Sequence, residues 1–219
     1  MRCERRQPQS GQRREPQGRG AERRRRTPPG AADGPGGRGK PGYTAPPPTT
    51  TLAIASDEWR PGVIYGKADG VDLVLDLALP AVRDKPLPAI VCIHGGGWIG
   101  GSRKQFASFA KRLAGKGFAA VTIDYRLAPA FPMPAQIEDA KCAVRWLRAN
   151  AKDLGIDPAR IGAIGESAGG HLALMLGLSE TAIGLEGDGG NPGIDSKVQA
   201  VVSICGPTDM DASAWNASG

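Results

Sequence analysis

Histidine is nearly missing from this chain: its 219 residues include two, His94 and His171. Any proton transfer through imidazole has only those candidates in this sequence. Cysteine is also scarce. Cys3, Cys92, Cys142 and Cys205 show neither a CxxC pair nor metal-ligand spacing, which excludes a zinc-type centre or a disulfide framework as the organising feature. Cys92 and Cys205 sit in apolar, strand-like runs and read as buried free thiols. No apolar stretch near the start reaches the roughly 7–15 residues of a secretory leader. No run approaches the ~18 apolar residues of a membrane span. The compartment is left open, with the cytoplasm as default. Aromatic residues make up 5% of the chain and none interleaves the N-terminal arginines, so base stacking has no platform and nucleic acid is not the expected partner.

Charge is present but unevenly placed. Residues 1–50 hold twelve Arg and Lys against four Asp and Glu, a net +8; the whole chain carries +6, so the remainder carries −2. The Arg-, Gly- and Pro-rich arm has too few aliphatic residues to offset chain entropy by burial, and it is expected to be disordered. It reads as a solvated arm, or as residues translated upstream of the true start.

From about residue 51 the pattern changes. Val71 to Leu79 alternates apolar and polar residues and, with Val63 to Tyr65, predicts a half-exposed edge hairpin. Ala89–Ile93, Ala119–Asp124, Arg160–Gly165 and Val198–Cys205 are short apolar strands. Helices are expected from about Lys104 to Lys116, from Ala135 to Ala151 and from Ala168 to Leu178. In the second, Ile137, Ala140, Val144 and Leu147 form the apolar stripe, and Glu138, Lys141, Arg145 and Arg148 lie off it. Residues 179–197 are Gly-rich, acidic and aperiodic. Alternating strands and helices predict an α/β fold with a mainly parallel sheet, its ligands beyond the carboxyl ends of the strands.

Two glycine motifs fall at such ends. Gly165-Glu166-Ser167-Ala168-Gly169 joins a strand directly to a helix. A turn that tight strains the serine backbone and lifts the hydroxyl clear of the sheet, and the helix N-terminus adds positive dipole beside it. "HGGGWIGG", residues 94–101, follows the strand Ala89–Ile93. Its glycines let backbone N–H groups approach one point, as stabilising an acyl-transfer oxyanion requires. No Lys-Ser/Thr follows at P-loop spacing.

Together with "DYRLAP", "FPMPAQIEDAKCAVRWLRANA", "DPARIGAIGESAGGHLA" and "GPTD", these motifs resemble the α/β-hydrolase esterases of the hormone-sensitive-lipase and BD-FAE-like type, over roughly Tyr65 to Asp211. The resemblance implies an α/β-hydrolase fold with helices on both faces of the sheet. It implies a carboxylic ester hydrolase with Ser167 as nucleophile and the backbone N–H groups of Gly95, Gly96 and Ala168 as oxyanion donors. His94 would support the oxyanion loop. The implied substrate is a small-molecule ester, often of a short acyl group, or a polysaccharide-linked one, with neither cofactor nor metal. The resemblance breaks at the proton acceptor. Chain order in such enzymes is serine, acid, histidine, and no histidine follows His171. His171 is expected to be a packed, hydrogen-bonded helix residue, and Asp209 to begin a helix or turn. Residues 51–219 are therefore expected to be the N-terminal part of a hydrolase domain, without its last strands, its acid or its base, and to turn over little. The alternative is a non-catalytic hydrolase-fold binding module or pseudoenzyme.

Overall fold

Val71–Leu79 forms a strand, β2, and Asp69–Gly70 turns it back antiparallel on β1 (Glu58–Ala68). Both turn residues have positive φ, 46° and 78°, which a two-residue hairpin turn requires and Asp-Gly readily supplies. The structure, a computed structural model, describes residues 58–179 and 184–210. The expected disordered arm, residues 1–50, and Cys3 within it lie outside them.

The hairpin lies at one side of a six-stranded sheet with order β1-β2-β4-β3-β5-β6. The other strands are β3 (Leu87–Ile93), β4 (Ala119–Ile123), β5 (Ile156–Glu166) and β6 (Ala200–Ile204). The pairs β1/β2 and β2/β4 are antiparallel; β4, β3, β5 and β6 run parallel. Only β1 is outermost in the hairpin, and the expectation of a half-exposed β2 is corrected. Asp76, on its supposedly wet face, is buried because the Arg103 guanidinium and the Gly62 N–H both bond its carboxylate, at 2.7 and 2.8 Å. Gly62 is free to do so because the β1 register slips between Arg60 and Val63, around Pro61.

Helices cover both faces. A 3-10 turn (Arg103–Phe106) leads into α1 (Ala107–Ala114), where Ala110 and Ala114 meet Ala78 and Ala120. On the opposite face α2 (Ala135–Ala149) and α4 (Ala168–Leu178) bury Ile137, Val144, Leu147 and Leu172 against Leu75, Val91, Ile93 and Val121. The second expected helix is broken at Asn150; a short α3 (Ala151–Leu154) then ends on left-handed Gly155. Among the described residues no helix is long and apolar enough to cross a membrane. On the α1 face the outer strand leaves Val202 and Ile204 exposed, and Cys205 is exposed as well, contrary to its expected burial. No further strand covers β6 among the described residues.

The α2 cations are the larger correction. Lys141 and Arg145 lie off the apolar stripe yet are buried, because the aperiodic segment after α4 folds across them. Lys141 Nζ donates to Glu186 at 2.8 Å and to Ser196 at 3.2 Å, and Arg145 donates to the Glu186 carboxylate at 2.8 Å and the Gly190 carbonyl at 3.0 Å. One carboxylate thus serves two buried cations. Burial raises its pKa, but hydrogen bonds from Lys141 and Ser196 and the nearby charges outweigh this and hold it below the ordinary glutamate value. That stabilisation is complete above the unfolded glutamate range and is lost as pH falls through the lowered folded value. Glu186→Gln is expected to cost about 3 kcal/mol at neutral pH, since it leaves two buried cations uncompensated. In urea titrations the gap from wild type should narrow as the solution is acidified; a gap constant with pH would contradict the assignment.

Candidate active site

β3 and β5 are parallel neighbours, with Ile93 paired to Gly165. The loop after β3 and the turn after β5 therefore leave the same rim of the sheet side by side. Glycine is required where they touch. A Cβ added to Gly95 would lie 2.9 Å from the Glu166 carbonyl oxygen and 3.3 Å from Ser167 Cβ. One added to Gly165 would overlap the Gly169 carbonyl, and one on Gly169 would overlap the Ile93 and His94 carbonyl oxygens. The two glycine motifs thus meet backbone to backbone.

Ser167 occupies the turn with φ 52° and ψ −119°, far from ordinary serine conformations. Its N–H donates to the Ile204 carbonyl at 2.8 Å, fastening the turn to the end of β6, and its carbonyl accepts the His171 N–H at 3.0 Å as α4 begins. The Ser167 side chain is exposed, and among the described residues nothing hydrogen-bonds its hydroxyl. The N–H groups of Gly95, Gly96 and Ala168 likewise have no acceptor among the described residues. Gly95 and Ala168 are buried residues, and a buried N–H without a partner is costly. The rim therefore presents unused donors beside a free hydroxyl.

His94 is buried with its ring stacked on Tyr125, centroids 4.3 Å apart at 11°. Its Nδ1–H donates to the Gly95 carbonyl at 2.7 Å. Burial lowers its pKa, so the ring is neutral near neutrality. His171 corrects the expectation of a hydrogen-bonded helix residue. Its Nδ1 is buried without a partner, and its ring meets the Trp98 ring edge-on at 5.4 Å. Burial depresses its pKa too. Neither imidazole bonds the Ser167 hydroxyl. Asp209 lies exposed beyond β6, outside any helix or strand.

The motif reading missed what holds the loop from outside. Arg103 N–H donates to Asp124 at 2.6 Å, the Tyr125 hydroxyl donates to the His94 carbonyl at 3.0 Å, and Ala128 N–H donates to the Trp98 carbonyl at 2.9 Å. All three come from the segment after β4, and the polar residues of "DYR" in an apolar neighbourhood were the available signal.

A mixed, mainly parallel sheet between helices, with a strained serine at a strand-to-helix turn beside a glycine loop, defines an α/β-hydrolase of esterase type. The BD-FAE family model matches residues 75–218, and the chain belongs to that family. Carboxylesterase NlhH of Mycobacterium tuberculosis is 44% identical over 98 residues, covering 44% of this chain and 30% of the relative. Esterase LipC of the same organism is 39% identical over 153 residues, covering 69% of this chain and 38% of LipC. Thermogutta terrifontis esterase 2 superposes in its butyrate-bound form with TM-score 0.62 at 31% identity, covering 76% of this chain and 62% of that one. Its paraoxon-phosphorylated form gives 0.58 at 37% identity, covering 64% and 54%. The chain spans less than two fifths of the length of these two mycobacterial relatives.

Proposed function

We propose that this domain cleaves carboxylic esters of short acyl groups through an acyl-enzyme on Ser167. The observation that carries this reading is the hydroxyl of a serine at φ 52°, free of any bond among the described residues, beside N–H groups that have no acceptor among them. Ser167 Oγ attacks the ester carbonyl carbon. The carbonyl oxygen becomes an oxyanion held by the N–H groups of Gly95, Gly96 and Ala168. The intermediate collapses, the C–O bond breaks, the alcohol leaves with a proton, and water later releases the acid by the same route. Each oxyanion donor lost costs about 3–4 kcal/mol of barrier. His94 keeps its proton on Nδ1, bound to Gly95, and supports the loop rather than the serine. The bound butyrate of the Thermogutta esterase supports a short acyl pocket as the first choice; polysaccharide-linked esters are the second.

The proton of Ser167 has no acceptor among the described residues, so we assign the general base and its carboxylate to groups outside them. The polypeptide alone then acylates slowly, because a serine that stays protonated is a weak nucleophile. Its acylation rate is expected to climb with hydroxide and to show no plateau above the ordinary imidazole value of about 6.5. Stopped-flow release of p-nitrophenol from p-nitrophenyl acetate across neutral pH checks this. A sigmoid that levels off near that value would place a working histidine at Ser167 and overturn the assignment. The same missing acceptor favours one rival, a binding module that never acylates, which predicts no serine-dependent release at any pH.

A further inference from the structure

We infer that Tyr125 is a positioning residue that fixes the direction of the Gly95 N–H. The inference rests on the oxyanion role given to that group above. The His94–Gly95 peptide is trans, so its carbonyl and its N–H point in opposite directions from one rigid plane. A bond that aims one aims the other. The Tyr125 hydroxyl donates to the His94 carbonyl at 3.0 Å, from a side chain that is itself buried. The phenol ring also stacks on the His94 imidazole, so the plane is held at its carbonyl and through its own side chain. The next peptide is held differently: His94 Nδ1–H bonds the Gly95 carbonyl and thereby aims the Gly96 N–H. Tyr125 thus governs one donor and His94 the other.

The need for such a fixture follows from the loop itself. Gly96, Gly97 and Gly101 have φ of 117°, 60° and 101°, and Trp98 has 62°. Glycines lose more freedom on ordering than any other residue, so an unsupported loop would sample many peptide orientations. Preorganised donors stabilise an oxyanion because they need not turn to meet it. Burial also pushes the Tyr125 phenol well above its ordinary pKa, which keeps its proton in place.

Tyr65 provides the control. It is as buried as Tyr125, and its hydroxyl donates to the Asp124 carbonyl at 2.6 Å rather than to a residue of the glycine loop. The full chain, Tyr125→Phe and Tyr65→Phe would be compared by hydrogen exchange and by labelling of Ser167 with paraoxon. Tyr125→Phe is expected to speed exchange about tenfold at Ile99, Gly100 and Ala128, whose N–H groups bond carbonyls of the loop, and to slow labelling about tenfold, with the concentration for half-maximal rate unchanged. Tyr65→Phe, whose lost bond reaches the loop only through Asp124, should change both much less. Equal effects of the two substitutions, or a uniform rise in exchange across the domain, would reduce Tyr125 to a fold-holding role and overturn the inference. Should wild type fail to label, the nucleophile reading falls, and the exchange comparison still decides the Tyr125 contact. Should Tyr125→Phe fail to fold, nuclear magnetic resonance of wild type decides. A slowly exchanging Tyr125 hydroxyl proton, held by its bond to the His94 carbonyl, supports the contact, and its absence overturns it.

Discussion

Gly169→Ala is expected to abolish the native fold or cut its stability by more than about 4 kcal/mol, a range reached only by severe mechanisms. The added methyl would overlap the carbonyl oxygens of Ile93 and His94. Both are main-chain atoms at the end of a central strand, so no side chain can swing away. Relief requires α4 to lift from β3, and that interface carries Leu172 and Ile93 of the main core. Against the roughly 5–15 kcal/mol that hold a domain together, such a loss is near total. Gly97→Ala gives the contrast. Its Cβ would have only the tip of Ile99 within reach, at 3.9 Å, although its φ is 60°. It should cost about 1–2 kcal/mol of backbone strain and no more. Thermal melts followed by circular dichroism separate the two, and a Gly169→Ala melt close to wild type would mean that the helix and strand do not touch as described.

Ser167→Ala is expected to have the opposite profile, with chemistry lost and stability kept. The serine side chain is exposed and makes no hydrogen bond among the described residues, so its removal should stay within about 0.5 kcal/mol of wild type. Alanine inherits the same positive φ, and the strain of the turn is unchanged. What disappears is the hydroxyl proposed to attack the ester. Release of p-nitrophenol from p-nitrophenyl acetate should fall to the hydroxide background, with no fraction tied to protein concentration. Serine-independent release at the wild-type rate would move the reaction to another residue.

The sequence made the strand–helix alternation and the rim of the sheet legible because both depend on local facts. Apolar runs, helix stripes and glycines at fixed offsets from Ser167 act within a few residues. Alternation in β2 located that strand, yet not the burial of Asp76, because its partner Arg103 stands 27 residues further on. The same limit hid Lys141 and Arg145. Helical periodicity assigned them to solvent, and only the path of residues 184–197, which no pattern announces, brings Glu186 and Gly190 over them. Tyr125 belongs to the same class: its motif was visible, but its contact with a loop 31 residues earlier was not. His171 failed for the same non-local reason. Its position on α4 is as expected, but Trp98, rather than a polar group, fills the space beside it.

In the mechanism proposed above, Ser167 attacks an electrophilic acyl-like centre while backbone amides receive the developing negative charge. Intact-mass and peptide mapping of the full chain after incubation with paraoxon test it most directly. A single diethylphosphoryl group on Ser167, gained faster as pH rises and absent from Ser167→Ala, is the predicted result. A chain that stays unlabelled through prolonged incubation, or one that is labelled equally after Ser167→Ala, would contradict it.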